Sequence, residues 1–192
     1  MLELPPEMTT PQPASSGETK YWAAFSRIPG VGRVRYLALL RQFGRLSDAW
    51  RAGPGDLKAA GLDDRIVRLI TTGRPDIDPD AEMERLEQSG VRALTWDDAA
   101  YPPRLKETDD PPPVLYVRGD LRETDEWSVA VVGTRRPTPY GRQLAEEFSH
   151  QLASNRICVV SGLARGVDAI AHRVAIENNA PTVAALAGGI DQ

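Results

Sequence analysis

Residues 129–148 read VAVVGTRRPTPYGRQLAEEF: an apolar run that stops at Gly133, a hydroxyl, two arginines, and then a helical pattern. A continuous run of Val and Ala is what a strand buried on both faces looks like, and Leu144, Phe148 and Leu152 then recur at the spacing of an inward helix stripe over about 139–155. Gly133 allows a sharp turn at the carboxyl end of the strand, and Thr138-Pro139 supplies an N-cap and a first-turn proline. The pattern repeats one unit later in VVSGLARGVDAIAHRVAI (159–176), with Ser161-Gly162, a loop carrying Arg165-Gly166, and a helix from near Val167 to 178. TVAALAGG (182–189) reads as a further strand. Strand–helix–strand–helix–strand predicts an α/β fold, a Rossmann-like parallel sheet with helices on both faces. That sheet is expected to be incomplete at Gln192, where another helix and strands would follow.

Upstream, VRALTW and VLYVRG read as two more strands of this alternation, with a Pro-rich loop between them. AEMERLEQSG reads as a helix with Met83, Leu86 and Glu87 at turn spacing, Asp80 as its N-cap and Gly90 at its end. The second domain is therefore expected to span 80–192 and to begin with this helix. Before it, residues 21–74 form short helical pieces, each closed by a glycine, with Val34, Leu37 and Leu40 on one stripe widened by Tyr36, Leu39 and Phe43. Residues 1–20, rich in Pro, Thr, Ser and Glu without hydrophobic period, read as a disordered tail.

Two glycine loops at neighbouring strand ends, each opening a helix and each carrying arginine, are chemistry for anions. The candidate phosphate ligands are Gly133, Thr134, Arg135 and Arg136 in the first loop and Ser161, Gly162, Arg165 and Gly166 in the second. Neither loop is G-x-G-x-x-G, and no G-x-x-x-x-G-K-[ST] occurs, so a Walker nucleotide site is unsupported. Asp168 and His172, four apart, share a helix face and could pair for acid–base work, but dipole stabilisation of Asp168 and a simple bond to His172 account for them, and the structural role is the preferred reading. With two histidines and one cysteine, a metal site is not expected. Cys158, inside ICVV, reads as a small core residue. A third element, Ile28-Pro29-Gly30-Val31-Gly32, resembles the turn of a helix-hairpin-helix, with Gly30, Gly32 and Arg33 as candidate DNA contacts; a protein-interaction role for 21–74 stands beside that reading.

The net charge of −4 is distributed unevenly. Residues 21–74 hold ten Arg/Lys against four Asp/Glu, 75–126 six against fifteen, and 127–192 six against five, so the acid that opposes a nucleic-acid partner is concentrated in the middle. No run of about 18 apolar residues occurs, and the first twenty residues lack the features of a secretory signal, which predicts a cytoplasmic protein without a membrane span.

VAVVGTRRPTPYGRQLAEEF, SGLARGVDAIAHRVAI and TVAALAGGID, in that order and spacing, resemble the core of the DNA-processing protein A family, also called Smf. The likeness extends upstream through YPPRLKETDDPPPVLYVRGDL, and the helical segment resembles the family's sterile-alpha-motif-like (SAM-like) or hairpin domain. The resemblance implies a protein of natural transformation and recombination that binds and protects single-stranded DNA and loads RecA onto it, sometimes displacing single-strand-binding protein. It implies no enzyme activity, no cofactor and a homodimer, with Arg135 and Arg165 approaching phosphate and Gly133, Thr134, Ser161 and Gly162 forming the pocket floor. The alternative is a nucleoside-monophosphate-processing enzyme of the lysine-decarboxylase-like Rossmann group. It rests on fold analogy alone, because Ala187-Gly188-Gly189 is the nearest match to the P-G-G-x-G-T loop such enzymes need.

Overall fold

A computed structural model describes residues 17–190, and the chain divides into two compact units, the boundary falling between Gly119 and Asp120. The tail expected over 1–20 lies outside the described residues as far as residue 16; from Thr19 the chain is already helical.

The first unit contains α1 (Thr19–Ser26), α2 (Arg33–Phe43), α3 (Leu46–Arg51), α4 (Pro54–Ala59), α5 (Asp64–Gly73), α6 (Pro79–Gln88), β1 (Val91–Thr95), α7 (Pro103–Lys106) and β2 (Val114–Arg118). Short helices of six to eleven residues are marginal alone, and packing holds them. Phe25, Tyr36, Leu39, Leu46, Leu57 and Ile70 are fully buried. Aromatic rings tie the cluster: Phe25 meets Trp50 edge-on at 4.9 Å, and Trp22 meets Trp96 edge-on at 5.4 Å. Burial drives the Tyr36 phenol far above its usual range, and its hydroxyl donates to the Trp22 carbonyl at 2.6 Å. The expected stripe on α2 is turned relative to the real one: Tyr36 and Leu39 face the core, while Val34 is 73% exposed.

Three other expectations are corrected here. Residues VRALTW and VLYVRG do not join the parallel sheet. β1 and β2 pair antiparallel with each other, Val91 opposite Arg118 and Thr95 opposite Val114, and Val114 joins the helical core. For the same reason the division does not fall at residue 80: α6 packs on α1, and β1 also touches α1. The N-cap of α6 is Asp78, not Asp80; its carboxylate accepts from the amides of Asp80 and Ala81, with Pro79 at the first helical position. On α6 the inward residues are Leu86 and Glu82. The Glu82 carboxylate is held between Arg27 of α1 at 2.7 Å and Arg85 at 2.6 Å.

The second unit holds β3 (Ser128–Ala130), α8 (Pro139–Ser154), β4 (Cys158–Ser161), α9 (Val167–Glu177) and β5 (Thr182–Ala184), after a 3-10 turn at Glu123–Glu126. The sheet is parallel with order β3-β4-β5, Val159 lying opposite Val129 and Thr182. Helices on both faces are not what the described residues form. Two crossovers of one hand stepping in one direction lay both helices on the same side, and α8 and α9 pack on each other and on β4. Their shared interior is built of small side chains. Val159 meets Ala171 and Ala175, and Ala145 meets Ile170 and Val174. The stripe predicted for α8 is displaced accordingly: Ala145, Ser149 and Ala153 are buried, Leu144 and Leu152 are half-buried, and Phe148 is 64% exposed. Cys158 is fully buried, and desolvation pushes its thiol up to about 11.

Two outcomes test this packing. Glu82→Ala leaves two half-exposed guanidinium groups without their shared carboxylate, and urea denaturation is expected to show a loss of about 1–2 kcal/mol. The Cys158 thiol is expected to resist a thiol reagent at pH 8 in the folded chain and to react at once in denaturant.

Candidate nucleic-acid interface

The two glycine loops are interlocked. A Cβ on Gly133 would lie 2.7 Å from the Val167 side chain, and one on Gly166 would lie 2.3 Å from the Thr134 carbonyl oxygen. Gly133 is therefore needed for close approach of the second loop and not for a left-handed turn. Gly166 is needed on both counts, since its φ is +90°. Across the contact the Val167 amide donates to the Thr134 carbonyl at 3.2 Å.

The helix starts contribute less anion-binding capacity than their sequence suggests. Thr138 caps α8 as expected, its hydroxyl accepting from the Gly141 amide at 3.1 Å, while the Arg142 amide donates to the Thr138 carbonyl and Pro139 has none. At α9 the Val167 amide is spent on Thr134. What remains is guanidinium chemistry. Arg135, Arg136 and Arg165, with Ala164, line one cleft of about 360 Å³ at the carboxyl ends of β3 and β4. All three arginines are exposed and make no ion pair among the described residues, whereas Arg173 in the same unit is bound to Glu146 and Glu177. Three guanidinium groups from two loops thus concentrate positive charge at one cleft, with no salt bridge to break among the described residues.

The other predicted residues fall around this cleft in different roles. The Thr134 hydroxyl accepts from the Arg136 amide at 3.2 Å and shapes the first loop. Ser161 is buried, and its hydroxyl donates to the Val131 carbonyl at 2.6 Å, tying β4 to the end of β3 beneath the loops. The Gly162 amide points inward to Asp168 Oδ2 at 3.1 Å. Asp168 is thus a positioning residue for the second loop, a role the sequence signals only by an acid just inside the helix that follows S-G. It does not pair with His172. The imidazole Nδ1 lies 2.7 Å from the Thr182 hydroxyl, which donates its own proton to the Val159 carbonyl, so Nδ1 must be the donor. Buried in this way, Asp168 and His172 bind the loop and the sheet together and are not presented to solvent. In the first unit, Gly30 has φ +84°, its carbonyl accepts from Arg35 at 2.8 Å, and Gly32 precedes α2 as its cap. Arg33 is half-exposed at the helix start. Among the described residues no three His, Cys, Asp or Glu side chains cluster to hold a metal, and no helix is long and apolar enough to cross a membrane.

The second unit is thus a small three-stranded parallel α/β unit of Rossmann-like layout, with two glycine loops and three exposed arginines at its strand ends. The family described as DNA recombination-mediator protein A matches residues 92–192, and the chain belongs to it. It is 36% identical over 182 residues to Protein Smf of Synechocystis, covering 92% of this chain and 46% of that protein. It is 34% identical over 184 residues to the putative DNA processing protein DprA of Mycobacterium tuberculosis, covering 88% and 46%. Among solved structures it is similar to DNA processing protein A of Streptococcus pneumoniae, with a TM-score of 0.67 and 25% identity over 90% of this chain and 58% of that one. The chain thus spans about half the length of the curated relatives it matches.

Because the loops depend on each other, Gly166→Ala is expected to cost about 3 kcal/mol or more, combining left-handed strain with overlap on a backbone carbonyl. Gly188→Ala, where nothing lies within 4 Å, should leave the denaturation midpoint unchanged.

Proposed function

We propose that this chain binds single-stranded DNA by its phosphates, with Arg135, Arg136 and Arg165 as the charged contacts and Gly133, Thr134, Ser161, Gly162 and Gly166 as the frame that holds them. The observation that supports this reading best is the convergence of three unpaired guanidinium groups from two loops on one cleft. Contacts of this kind recognise the backbone and not the bases, so the expected preference is for nucleic acid over free nucleotide, with little dependence on sequence. The protein acts by binding and not by chemistry, without a cofactor.

Membership of a recombination-mediator family supports the wider reading, in which the bound strand is protected and delivered to RecA during transformation and recombination, in the cytoplasm. Single-strand-binding protein would be the competitor on the strand, and the full-length protein would act as a homodimer. In the first unit, α1–α5 are read as the SAM-like or hairpin module. Gly30, Gly32 and Arg33 offer a second backbone contact there, supported by the excess of arginine over acid in residues 21–74.

The test is the salt dependence of oligonucleotide affinity. Replacing Arg135 by Ala in the folded chain is expected to flatten the log–log slope by about 0.7, the value for one phosphate on a single strand, and Arg165→Ala should do the same. A folded Arg135→Ala chain with unchanged affinity and slope refutes the assignment.

A further inference from the structure

Resting on the single-strand reading above, we propose that Trp127 is a stacking platform for a nucleobase of the bound strand, with Arg122 and Arg156 as its flanking phosphate contacts. Trp127 is 75% exposed, while Trp22 is buried and Trp50 and Trp96 are half-buried in the aromatic core of the first unit. An indole so exposed is uncommon for the largest apolar side chain, and here it has a setting.

Trp127 forms one wall of a cleft of about 680 Å³ at the amino ends of β3, β4 and β5, lined also by Arg122, Thr124, Arg156, Asn179 and Pro181. The volume suits a base with its sugar. The platform is fixed by its backbone: the Trp127 carbonyl accepts from the Cys158 amide at 2.8 Å, directly before β3 begins. Arg156 is oriented as well, one guanidinium nitrogen donating to the Asn179 carbonyl at 2.8 Å and leaving its other donors for a ligand. It sits at φ +58°, just past the end of α8, where glycine is the usual residue. Neither Arg122 nor Arg156 makes an ion pair among the described residues.

Three carboxylates, Glu123, Asp125 and Glu126, precede Trp127 in the chain, and none lines the cleft. In the 3-10 turn Glu123–Glu126 side chains three apart eclipse one another, so Thr124 and Trp127 share the cleft side. Glu123 and Glu126 lie off it, and Asp125 Oδ2 accepts from the Arg122 amide at 2.8 Å. A planar aromatic face between two cations recognises a base and the phosphates either side of it, and it does so for any base. Together with the cleft at the opposite strand ends, it would make the bound strand run along the unit and not merely touch it at one point.

The experiment titrates the 192-residue chain with a 5′-labelled twelve-nucleotide oligothymidine, reading anisotropy of the label and tryptophan emission in parallel. An otherwise identical oligomer of abasic sugar-phosphate serves as the second probe. Oligothymidine is expected to quench the emission, Trp127→Phe to remove that quenching while keeping most of the affinity, and Trp127→Ala to weaken binding about tenfold without changing the salt slope. The abasic oligomer should bind wild type and Trp127→Ala equally. Normal oligothymidine binding with unquenched emission and an unaltered Trp127→Ala affinity overturns the platform and leaves the arginine cleft standing. Absence of binding by the wild-type chain overturns both. A blue shift of Trp127 emission with protein concentration alone, without DNA, assigns the surface to self-association and overturns the proposal too.

Discussion

The second unit depends on a steric lock between two loops. Gly133 gives up a side chain so that Val167 can close on it, and Gly166 gives up one so that the Thr134 carbonyl can approach; the Val167 amide then bonds that carbonyl. Each loop leaves a strand and enters a helix, so fixing one against the other also fixes α8 against α9 over the sheet. Arg135, Arg136 and Arg165 project from backbone that has little freedom left. Three like charges in one cleft are tolerable because they are exposed to water, which screens their mutual repulsion.

Below the loops a chain of hydrogen bonds carries the lock into the sheet. Ser161 reaches back to Val131, Asp168 holds Gly162, and His172 holds Thr182, which in turn holds Val159. Four side chains that look catalytic by type are thus used to orient backbone. Charge follows the same division of labour. Arg173, Arg27 and Arg85 are neutralised by carboxylates and stabilise packing, while among the described residues the arginines of the clefts make no ion pair.

Much of the backbone around the candidate site is legible in the sequence because turn chemistry is local. The apolar run to Gly133, the Thr138-Pro139 start of α8 and the glycine pair around Arg165 each announce themselves within a few residues. Pairing and facing were not local. VRALTW and VLYVRG are six-residue runs that do not specify a partner, so their antiparallel pairing, set by the intervening segment and the helical core, could not be read from them. The stripe on α8 is displaced because the inward face does not go to the largest apolar residues. Close approach of α8, α9 and β4 instead selects Ala145, Ser149, Ala153, Ala171 and Ala175, and Phe148 is turned outward. The role of Asp168 required knowing where the Gly162 amide points, which no spacing rule supplies.

If both loops hold the same phosphate-bearing strand, Arg135 and Arg165 are energetically coupled, and a double-mutant cycle measures that coupling. Oligonucleotide affinities of the two single alanine variants and the double variant, each checked for native stability, give the coupling between the side chains. Joint action predicts a coupling above about 0.5 kcal/mol, the double variant losing less than the sum of the singles. Strict additivity would mean two independent contacts, and affinities untouched by any of the three substitutions would mean that neither loop holds the strand.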